Sequence, residues 1–452
     1  MMERPDLHVL MLAYFYPPLG GAGVQRSLKF SKYFPQFGCH PSVISSESGA
    51  YMNDPSLLAE VPSSGTIIRL PHTPIVTRLI KWKQRSDRGG QSLSQPLSGS
   101  APISSDSWRQ AWRDTALKTI GALQYPDDKA AWGGQARRVA MELIRKNPVD
   151  LIFSTSPPIS AHLAAMRIAK WANLPWVADF RDLWTSNPAY DMPAWRRSLD
   201  IRLENKLLAS ANGVVTVSEH LASMLRVRRP SKNKDTVLAI SNGYDEADFS
   251  HALPLPRNSE TFRVVHAGTF YGHQSPDEFL NGVEKLFQIE PEARKRLRLR
   301  FVGNVGARFE RTLREFKARH PQVLELTGYV EHPRAIAEML AADALLLVIG
   351  GDAKLAEGVM TGKLFEYLRA GRPVLQVGAV NGEAARLLQN TGAGIAVAAD
   401  DAAEIAAVIS RWVAGAAPKP QPARALIYER RAQTARLSEF LVTVHERFHG
   451  RN

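Results

Sequence analysis

The sequence has a single cysteine, Cys39, among its 452 residues. One cysteine excludes an internal disulfide, and the polar N-terminus runs directly into a predicted strand without a secretory signal. No uninterrupted apolar run approaches the ~18 residues that a transmembrane helix requires. These absences together predict a cytoplasmic protein.

Motifs for nucleic-acid recognition are also missing: there is no RNP-like aromatic motif, no zinc-finger spacing and no basic-zipper region. The chain is nevertheless basic, with 57 Lys and Arg against 44 Asp and Glu, a formal net charge of +13. This excess favours anionic partners such as nucleotides or phospholipid surfaces. Because the basic residues are spread over several helices, we predict no nucleic-acid partner.

Length and pattern predict two domains of the α/β class. A chain of 452 residues exceeds what one core usually holds. Short apolar runs suited to buried parallel strands alternate with helical segments in both halves. We predict two Rossmann-like parallel-sheet domains facing a central cleft, over 1–250 and 261–422. A basic amphipathic helix over 423–452 would cross back to the first domain, and 81–107, rich in Ser, Gly and Gln, is expected to be a mobile insertion.

The stretch over residues 361–375 is the most informative part of the sequence. It combines a Gly-opened turn, a short helix, a stop at Gly371 and a Pro-started strand. Lys363 lies in the first helical turn, where backbone N–H groups favour an anion, and Glu366 lies three residues later. A nucleotide would suit this pair, with phosphates on Lys363 and ribose hydroxyls on Glu366. A solvated ion pair on an ordinary αβ unit is the alternative.

A glycine-rich loop follows the first predicted strand. Gly20, Gly21 and Gly23 precede a helix predicted over 24–37, and they allow backbone to approach a ligand at a helix N-terminus. A dinucleotide fingerprint is disfavoured because its third glycine position is occupied by Arg26. A plain turn and a phosphate or sugar site remain equally open here.

The helix over 24–37 carries apolar residues on one face and Arg26, Lys29 and Lys32 elsewhere. A core helix with a solvated side is the main interpretation. The alternative is a basic rim that rests on anionic lipid, which would make the protein peripheral to a membrane.

Charged side chains gather at the ends of two further strands of the first half. Asp179, Arg181 and Asp182 follow one strand, and His162 lies near the start of the helix after another. Because parallel strands end at a common edge, we expect these groups to lie near the Gly20–Gly23 loop. A structural Arg–Asp network at the strand end is the alternative to a site.

Six short motifs follow one another along nearly the whole chain. They are Phe15-Tyr16-Pro17-Pro18 with Gly20-Gly21, Ser154-Thr155-Ser156-Pro157-Pro158, Ala178-Asp179-Phe180-Arg181-Asp182-Leu183-Trp184, Val217-Ser218, Ser241-Asn242-Gly243-Tyr244-Asp245 and Gly362-Lys363-Leu364-Phe365-Glu366-Tyr367-Leu368. In this order the chain resembles the GT-B superfamily of nucleotide-sugar glycosyltransferases, and within it the family-four group of retaining enzymes.

The resemblance implies a hexosyltransferase that takes a nucleotide-diphosphate sugar as donor. Many such relatives build bacterial surface polysaccharides on lipid-linked or saccharide acceptors at the cytoplasmic membrane face. Asp179 or Asp182 would orient the acceptor, and Arg181 would lie near the leaving group. The implied catalytic set is Asp179, Arg181, Asp182 and His162. The implied donor-binding set is Gly20, Gly21, Gly268, Thr269, His273, Asn304, Lys363, Leu364 and Glu366.

The sequence departs from the family pattern at two places. Glu366 matches the second Glu of the family pair, but the first falls on Gly358, with Glu357 one place away. The Arg and Lys-Gly that usually clamp the pyrophosphate are replaced by His273 and Gln274. We expect Lys363 to take over the phosphate contact. The sequence contains no Asp-x-Asp, two aspartates separated by one residue, which is the metal-binding motif of the other main transferase fold. We therefore predict no metal or other cofactor.

Three other functions remain open at the level of sequence. A nucleotide-sugar epimerase shares the two-domain architecture. A catalytically silent GT-B protein that acts as a partner or scaffold is favoured by the two departures. A dinucleotide oxidoreductase is the least favoured of the three.

Overall fold

The computed structural model describes residues 6–450 except 48–50, 52, 73–120, 188–189, 251, 254, 271, 273 and 351–356. The chain divides into two compact units, residues 1–239 with 437–452 and residues 240–436. The insertion predicted over 81–107 lies outside the described residues.

The first unit is built on a sheet of seven parallel strands in the order β3-β2-β1-β4-β5-β6-β7. The strands are β1 Leu7–Leu12, β2 Cys39–Glu47, β3 Ile67–Pro71, β4 Leu151–Ser156, β5 Trp176–Phe180, β6 Gly213–Thr216 and β7 Val237–Ala239. Every residue of β4 and β5 is buried, as expected of parallel strands covered on both faces. The strand order reverses between β1 and β4, which is where open α/β sheets bind ligands.

Helices from the described residues of the first unit pack around this sheet. They are α1 Ala22–Tyr33, α2 Ala130–Lys146, α3 Ile159–Ala172, α4 Ala194–Ser210 and α5 Glu219–Arg228, with 3-10 turns at Phe34–Phe37, Pro55–Glu60 and Ser231–Asn233. The helix predicted over 24–37 ends as an α-helix at Tyr33 because Pro35 starts a tighter turn, which closes at Gly38 with φ 73°. α5 begins at a capping serine, where the Ser218 hydroxyl accepts the Leu221 N–H at 3.2 Å.

The second unit repeats the plan with six parallel strands in the order β10-β9-β8-β11-β12-β13. The strands are β8 Phe262–Ala267, β9 Leu297–Val302, β10 Leu324–Gly328, β11 Ala344–Ile349, β12 Val374–Gly378 and β13 Gly394–Val397. Here the order reverses between β8 and β11. The ends of these two strands are therefore the expected place for a ligand.

Helices of the second unit include the informative stretch found in the sequence. They are α6 Glu246–Ser250, α7 Asp277–Ile289, α8 Ala293–Arg296, α9 Ala307–Arg319, α10 His332–Ala341, α11 Gly362–Ala370, α12 Glu383–Thr391 and α13 Ala402–Val413. Leu364, Tyr367 and Leu368 are all buried, and their i, i+3, i+4 spacing makes them the core face of α11. The helix stops at Gly371, whose φ of 66° lies in the left-handed region that favours glycine.

The C-terminal segment differs from the single helix predicted over 423–452. A 3-10 turn, Pro422–Tyr428, comes first, and the α-helix α14 spans Arg430–His449. The break has a tertiary cause: the Tyr244 N–H donates to the Tyr428 carbonyl at 3.1 Å, and the Arg430 N–H donates to the Tyr244 carbonyl at 2.8 Å. These bonds hold residue 429 in a β-bridge that a continuous helix would not permit.

The predicted α/β class, with two parallel-sheet domains, is confirmed by the seven-stranded and six-stranded sheets. The strand positions also agree with the apolar runs, although individual ends shift by one or two residues. Within the described part of the chain, no helix combines the length and the apolar character needed to cross a bilayer.

Candidate functional site

Three glycines shape the strand ends of the second unit. Gly268 and Gly303 both have φ 126°, and Gly328 has φ 69°, conformations that side chains rarely adopt. The Gly303 N–H donates to the Gly328 carbonyl at 2.9 Å, and a Cβ at Gly303 would lie 2.7 Å from the Gly268 carbonyl oxygen. The strand exits at Gly268, Gly303 and Gly328 therefore pack backbone against backbone.

The Lys363 side chain lies directly across Gly268. A Cβ at Gly268 would stand 2.3 Å from Lys363 Cε and 2.7 Å from its Nζ, so only glycine admits this contact. Lys363 also lies in the first turn of α11, as the sequence predicted. The structure thus joins two predicted donor-binding residues that are 95 positions apart in the chain.

A buried histidine, His266, lies behind the ammonium. Its Nδ1 is 3.0 Å from the Leu346 carbonyl oxygen and its Nε2 is 3.4 Å from Lys363 Nζ. Because a carbonyl only accepts, Nδ1 carries the proton and Nε2 presents its lone pair to Lys363. The His266 ring also stacks on Phe270 with centroids 4.0 Å apart. The sequence indicated His266 only as the last residue of a strand.

The electrostatics of this pair follow from burial. Burial, assisted by the nearby Lys363 cation, lowers the pKa of His266 well below its usual value, so the imidazole stays neutral. Burial also lowers the pKa of Lys363 to about 8, with Glu366 opposing the shift. At neutral pH the ammonium is still the main form, and it gains by contact with an anion.

Tyr367 fixes α11 relative to the sheet. Its hydroxyl accepts the Ala267 N–H at 2.9 Å and donates to the Leu346 carbonyl at 3.3 Å. Burial raises the pKa of Tyr367, so the phenol keeps the proton that it donates. The helix that carries Lys363 is therefore attached to the end of β8 and to the middle of β11.

The N-terminus of α11 has no side-chain cap. Thr361 occupies the cap position, but its hydroxyl makes no capping bond, and this buried oxygen has no hydrogen-bond partner among the described residues. A Cβ at the next residue, Gly362, would meet nothing within 4 Å. An uncapped, open helix N-terminus beside a lysine is a ready anion-binding arrangement.

Glu366 lies one turn further along α11, and its side chain is 23% exposed. His332, the first residue of α10, stands between two carboxylates: its Nε2 is 3.6 Å from Glu366 Oε1 and 3.6 Å from Asp248 Oδ2. Burial raises the pKa of Glu366, while His332 opposes the shift. The sequence reasoning missed His332, because nothing in its local pattern separates it from an ordinary first residue of a helix.

The remaining donor-binding predictions of the second unit occupy different environments. Thr269 is half-buried next to Gly268, and Asn304 is exposed while its carbonyl accepts the Phe270 N–H at 3.3 Å. The Leu364 side chain is fully buried in the core, which leaves only its backbone for a ligand. His273 lies outside the described residues.

In the first unit the glycine loop and Arg181 come together. Gly21, with φ 92°, is the exposed residue before α1. Arg181 directly follows β5, and its Nη1 donates to the Gly23 carbonyl at 2.8 Å. The Arg181 side chain is 16% exposed. The expectation that these segments share one sheet edge is confirmed for this pair.

Asp179 lies beneath that edge rather than on it. Its carboxylate is fully buried and accepts from Arg26 Nη2 at 2.9 Å, from Arg26 Nε at 3.0 Å and from the Thr155 hydroxyl at 2.9 Å. These bonds connect α1, β4 and β5. The contact with acceptor predicted for Asp179 remains a prediction, and the geometry adds a structural role.

The basic residues of α1 do not form the predicted solvated side. Arg26 and Lys29 are only 1% and 2% exposed. Lys29 and Lys32 both bind Glu60, with Nζ–Oε2 distances of 2.5 Å and 2.6 Å. The alternative of a basic rim resting on lipid was therefore wrong for Arg26 and Lys29, because neither side chain reaches the surface.

His162 is fully buried, with its Nδ1 2.8 Å from the Ser154 hydroxyl. Burial lowers the pKa of His162 to about 3, so this side chain is neutral at physiological pH. Asp182 has the opposite environment: it is 59% exposed and lines a cavity of about 500 Å³ in the first unit. The structure does not bring these two predicted catalytic residues into one cluster.

Two protein-family models match the sequence. Residues 100–243 match the family model described as a glycosyl transferase 4-like domain, and residues 261–414 match the model described as glycosyl transferases group 1. No curated protein matches the sequence at a significant level. The two family matches lie one in each unit and together cover most of the chain.

Solved structures agree in fold. The chain is similar to HepE of Anabaena in complex with UDP, at 13% identity and a TM-score of 0.54, covering 98% of this chain and 99% of that one. It is also similar to WaaG, described as a glycosyltransferase involved in lipopolysaccharide biosynthesis, at 14% identity and a TM-score of 0.52, over 98% and 100% of the chains. A third similar structure comes from E. coli, described as bound with UDP-2-fluoro glucose, at 12% identity, a TM-score of 0.55 and 98% coverage of both chains.

The family matches and the two parallel-sheet units define a glycosyltransferase of the GT-B fold. This chain belongs to the glycosyltransferases, and the resemblance to the GT-B superfamily seen in the sequence is confirmed.

We predict that the Arg26–Asp179 pair contributes strongly to stability. In Asp179→Asn the Arg26 guanidinium would stay buried without its counter-charge, which should cost about 3–5 kcal/mol of unfolding free energy. Urea denaturation followed by circular dichroism would measure this loss. Asp182→Asn is the matched control, since its exposed carboxylate should change stability by about 1 kcal/mol or less. Equal stability of the two variants would contradict the prediction.

Proposed function

We propose that this protein is a retaining, metal-independent glycosyltransferase that moves a hexosyl group from a nucleotide-diphosphate sugar to a saccharide or lipid-linked acceptor. The observation that carries the proposal is the Lys363 ammonium held over Gly268 at the uncapped N-terminus of α11. Similar structures in complex with UDP or a UDP-sugar, at 12–13% identity, support the choice of donor class.

The donor diphosphate would lie between Lys363 and the open helix N-terminus. Both supply positive potential, and neutral His266 accepts from Lys363 without adding a competing negative charge. The absence of a Cβ at Gly268 lets the Lys363 side chain lie against the strand end, close to the helix N-terminus. Glu366, partly exposed one turn away, would accept hydrogen bonds from the ribose hydroxyls.

In the proposed transfer the bond between the sugar anomeric carbon and the diphosphate oxygen breaks. A bond from the acceptor oxygen forms on the same face, and the acceptor proton passes to the departing phosphate. Lys363 and the α11 N-terminus stabilise the charge that develops on the leaving group. A protein base is therefore not required, which accords with a neutral, buried His162.

A catalytically silent GT-B protein is the second candidate, favoured by position 358. The family pattern places a carboxylate there toward the transferred sugar, whereas this chain has half-buried Gly358, and its neighbour Glu357 is exposed. Such a protein would bind the nucleotide without turnover, so binding and turnover must be measured separately.

We predict that UDP binding depends on pH through Lys363. Below its pKa of about 8, Lys363 is already protonated, so the affinity for UDP should not change with pH. Above this pKa, Lys363 must take up a proton when UDP binds, so the affinity for UDP should fall by up to about tenfold per pH unit. Lys363→Met removes the charge and is one atom shorter, and it should bind UDP about 10–100-fold more weakly, without this alkaline dependence. Isothermal titration calorimetry with UDP between pH 6 and 9.5 would measure the affinity of the unaltered protein and of Lys363→Met. If the affinity of the variant falls equally at alkaline pH, Lys363 is not the group that titrates.

Turnover should be independent of added metal. We expect product formation from a UDP-, GDP- or dTDP-sugar to persist in EDTA and to collapse in Glu366→Gln and Lys363→Met. NMR of the product should show the donor's anomeric configuration. Strict dependence on Mg²⁺ or an inverted product would contradict the mechanism. Nucleotide binding without turnover would support the silent candidate, and donor consumption without acceptor would indicate an epimerase.

A role in bacterial surface polysaccharide synthesis and peripheral contact with an anionic membrane complete the proposal. With Arg26 and Lys29 of α1 buried, the exposed face of α4 is a better candidate surface for lipid. Trp195 and Leu199 are 53% and 39% exposed, and exposed Arg202 and Lys206 continue the same helical face. Aromatic side chains favour the membrane interface, and each basic residue adds about 1 kcal/mol at an anionic surface.

We predict salt-sensitive co-sedimentation with liposomes that contain phosphatidylserine or phosphatidylglycerol. The double variant Trp195→Ala/Leu199→Ala should reduce the bound fraction severalfold. Trp171→Ala, which removes a similarly exposed tryptophan on α3, is the matched control. If liposome binding does not depend on salt, or if both variants weaken it equally, this face of α4 is not the membrane-binding surface.

A further inference from the structure

Two histidines at the C-terminal end of α14 take no part in the proposed transfer. His445 and His449 are four residues apart on this helix, so their side chains lie on one face. Their ring centroids are 4.5 Å apart, and the ring planes make an angle of 58°. A pair of histidines at this spacing on a helix is a recurrent way of binding zinc. The pair is therefore a candidate metal site in the first unit.

The separation of the two rings matches that of two imidazoles on one metal ion. A metal–nitrogen bond of about 2.0–2.1 Å places each ring centroid roughly 3.2 Å from the metal. Two rings at a right angle then have centroids roughly 4.5 Å apart, whereas a tetrahedral angle requires roughly 5.2 Å. The observed 4.5 Å fits the right angle of square-planar or tetragonal coordination, which is typical of Cu²⁺ and Ni²⁺.

The ring nitrogens are available to a metal. His445 is half-buried and His449 is exposed, and neither ring makes a hydrogen bond with any described residue. The His449 ring contacts the rings of His445 and Phe448. Burial, together with the nearby His449, lowers the pKa of His445, although Asp150 and Glu446 oppose the shift. The neutral imidazole that a metal requires is therefore the main form of His445 at neutral pH.

The charges around the pair favour a cation. The last turn of α14 leaves backbone carbonyls without helical partners, which gives this helix end a partial negative charge. Two carboxylates, Asp150 before β4 and Glu446 on the helix, act on His445. Arg447, which lies between the two histidines in the sequence, donates to Asp235 at 2.9 Å. Because this guanidinium is already paired, the carboxylates and the helix end set the local potential.

The residues over 445–449 match the zinc-peptidase motif His-Glu-x-x-His, in which the Glu is the general base. Catalytic zinc sites have three protein ligands. Among the residues that the structure describes, no third His, Cys, Asp or Glu atom completes such a set with both histidines. The geometry therefore supports a binding site with two protein ligands, and it does not support peptidase activity.

We propose that His445 and His449 together bind one divalent transition-metal ion, with Cu²⁺ and Ni²⁺ preferred to Zn²⁺. The site lies at the amino edge of the first sheet, because Asp150, which acts on His445, directly precedes β4. Asp150 Oδ2 also accepts the His8 N–H of β1 at 2.8 Å. Arg181 and the glycine loop lie at the carboxyl edge of the same sheet. Metal found in the purified protein would therefore not argue against metal-independent transfer.

Isothermal titration of the full-length protein with Cu²⁺, Ni²⁺, Zn²⁺ and Mg²⁺ at neutral pH would test the proposal. We expect affinity to fall in the order Cu²⁺, Ni²⁺, Zn²⁺, and we expect no binding of Mg²⁺ at this site. His445→Asn and His449→Asn should each weaken Cu²⁺ and Ni²⁺ binding at least tenfold. His220→Asn, which removes an exposed histidine of α5, is the matched control and should leave both affinities unchanged.

Electron paramagnetic resonance of the Cu²⁺ complex gives a second readout, because the spectrum reports how many nitrogens coordinate the metal. Two imidazole nitrogens are expected in the unaltered protein and one in either single variant. Equal metal binding by the unaltered protein and both variants would overturn the proposal. Loss of the site in His8→Asn instead, or a preference for Zn²⁺ over Cu²⁺ and Ni²⁺, would overturn it as well.

Discussion

The contact of Lys363 with the bare backbone at Gly268 is the constraint on which the candidate donor site depends. A cation can lie across a strand end only where no Cβ intervenes, and it stays there because α11 is bonded through Tyr367 to β8 and β11. Neutral His266 accepts from the ammonium and does not neutralise it. The arrangement leaves a desolvated positive charge that an anion would stabilise.

The first unit uses its buried charges differently. Arg26 and Asp179 satisfy one another inside the protein, and with Thr155 they connect the helix and strands at the switch point of the sheet. This network positions Arg181 and the glycine loop above it, and it removes Arg26 from any contact with solvent or lipid. Although the chain has a net charge of +13, some of its basic side chains are therefore buried in the interior.

The sequence by itself determined the α/β class, the strand positions and the helix that carries Lys363 and Glu366, because apolar runs, glycine stops and proline starts act over a few residues. The tertiary structure decided which charges face a ligand. Arg26 and Asp182 have similar polar neighbourhoods in the chain, yet one is buried in an ion pair and the other lines a cavity. Likewise His266 and His332 acquire their positions from residues far away in sequence. Local pattern fixes periodicity, whereas burial and pairing of charges depend on contacts that only the folded chain creates.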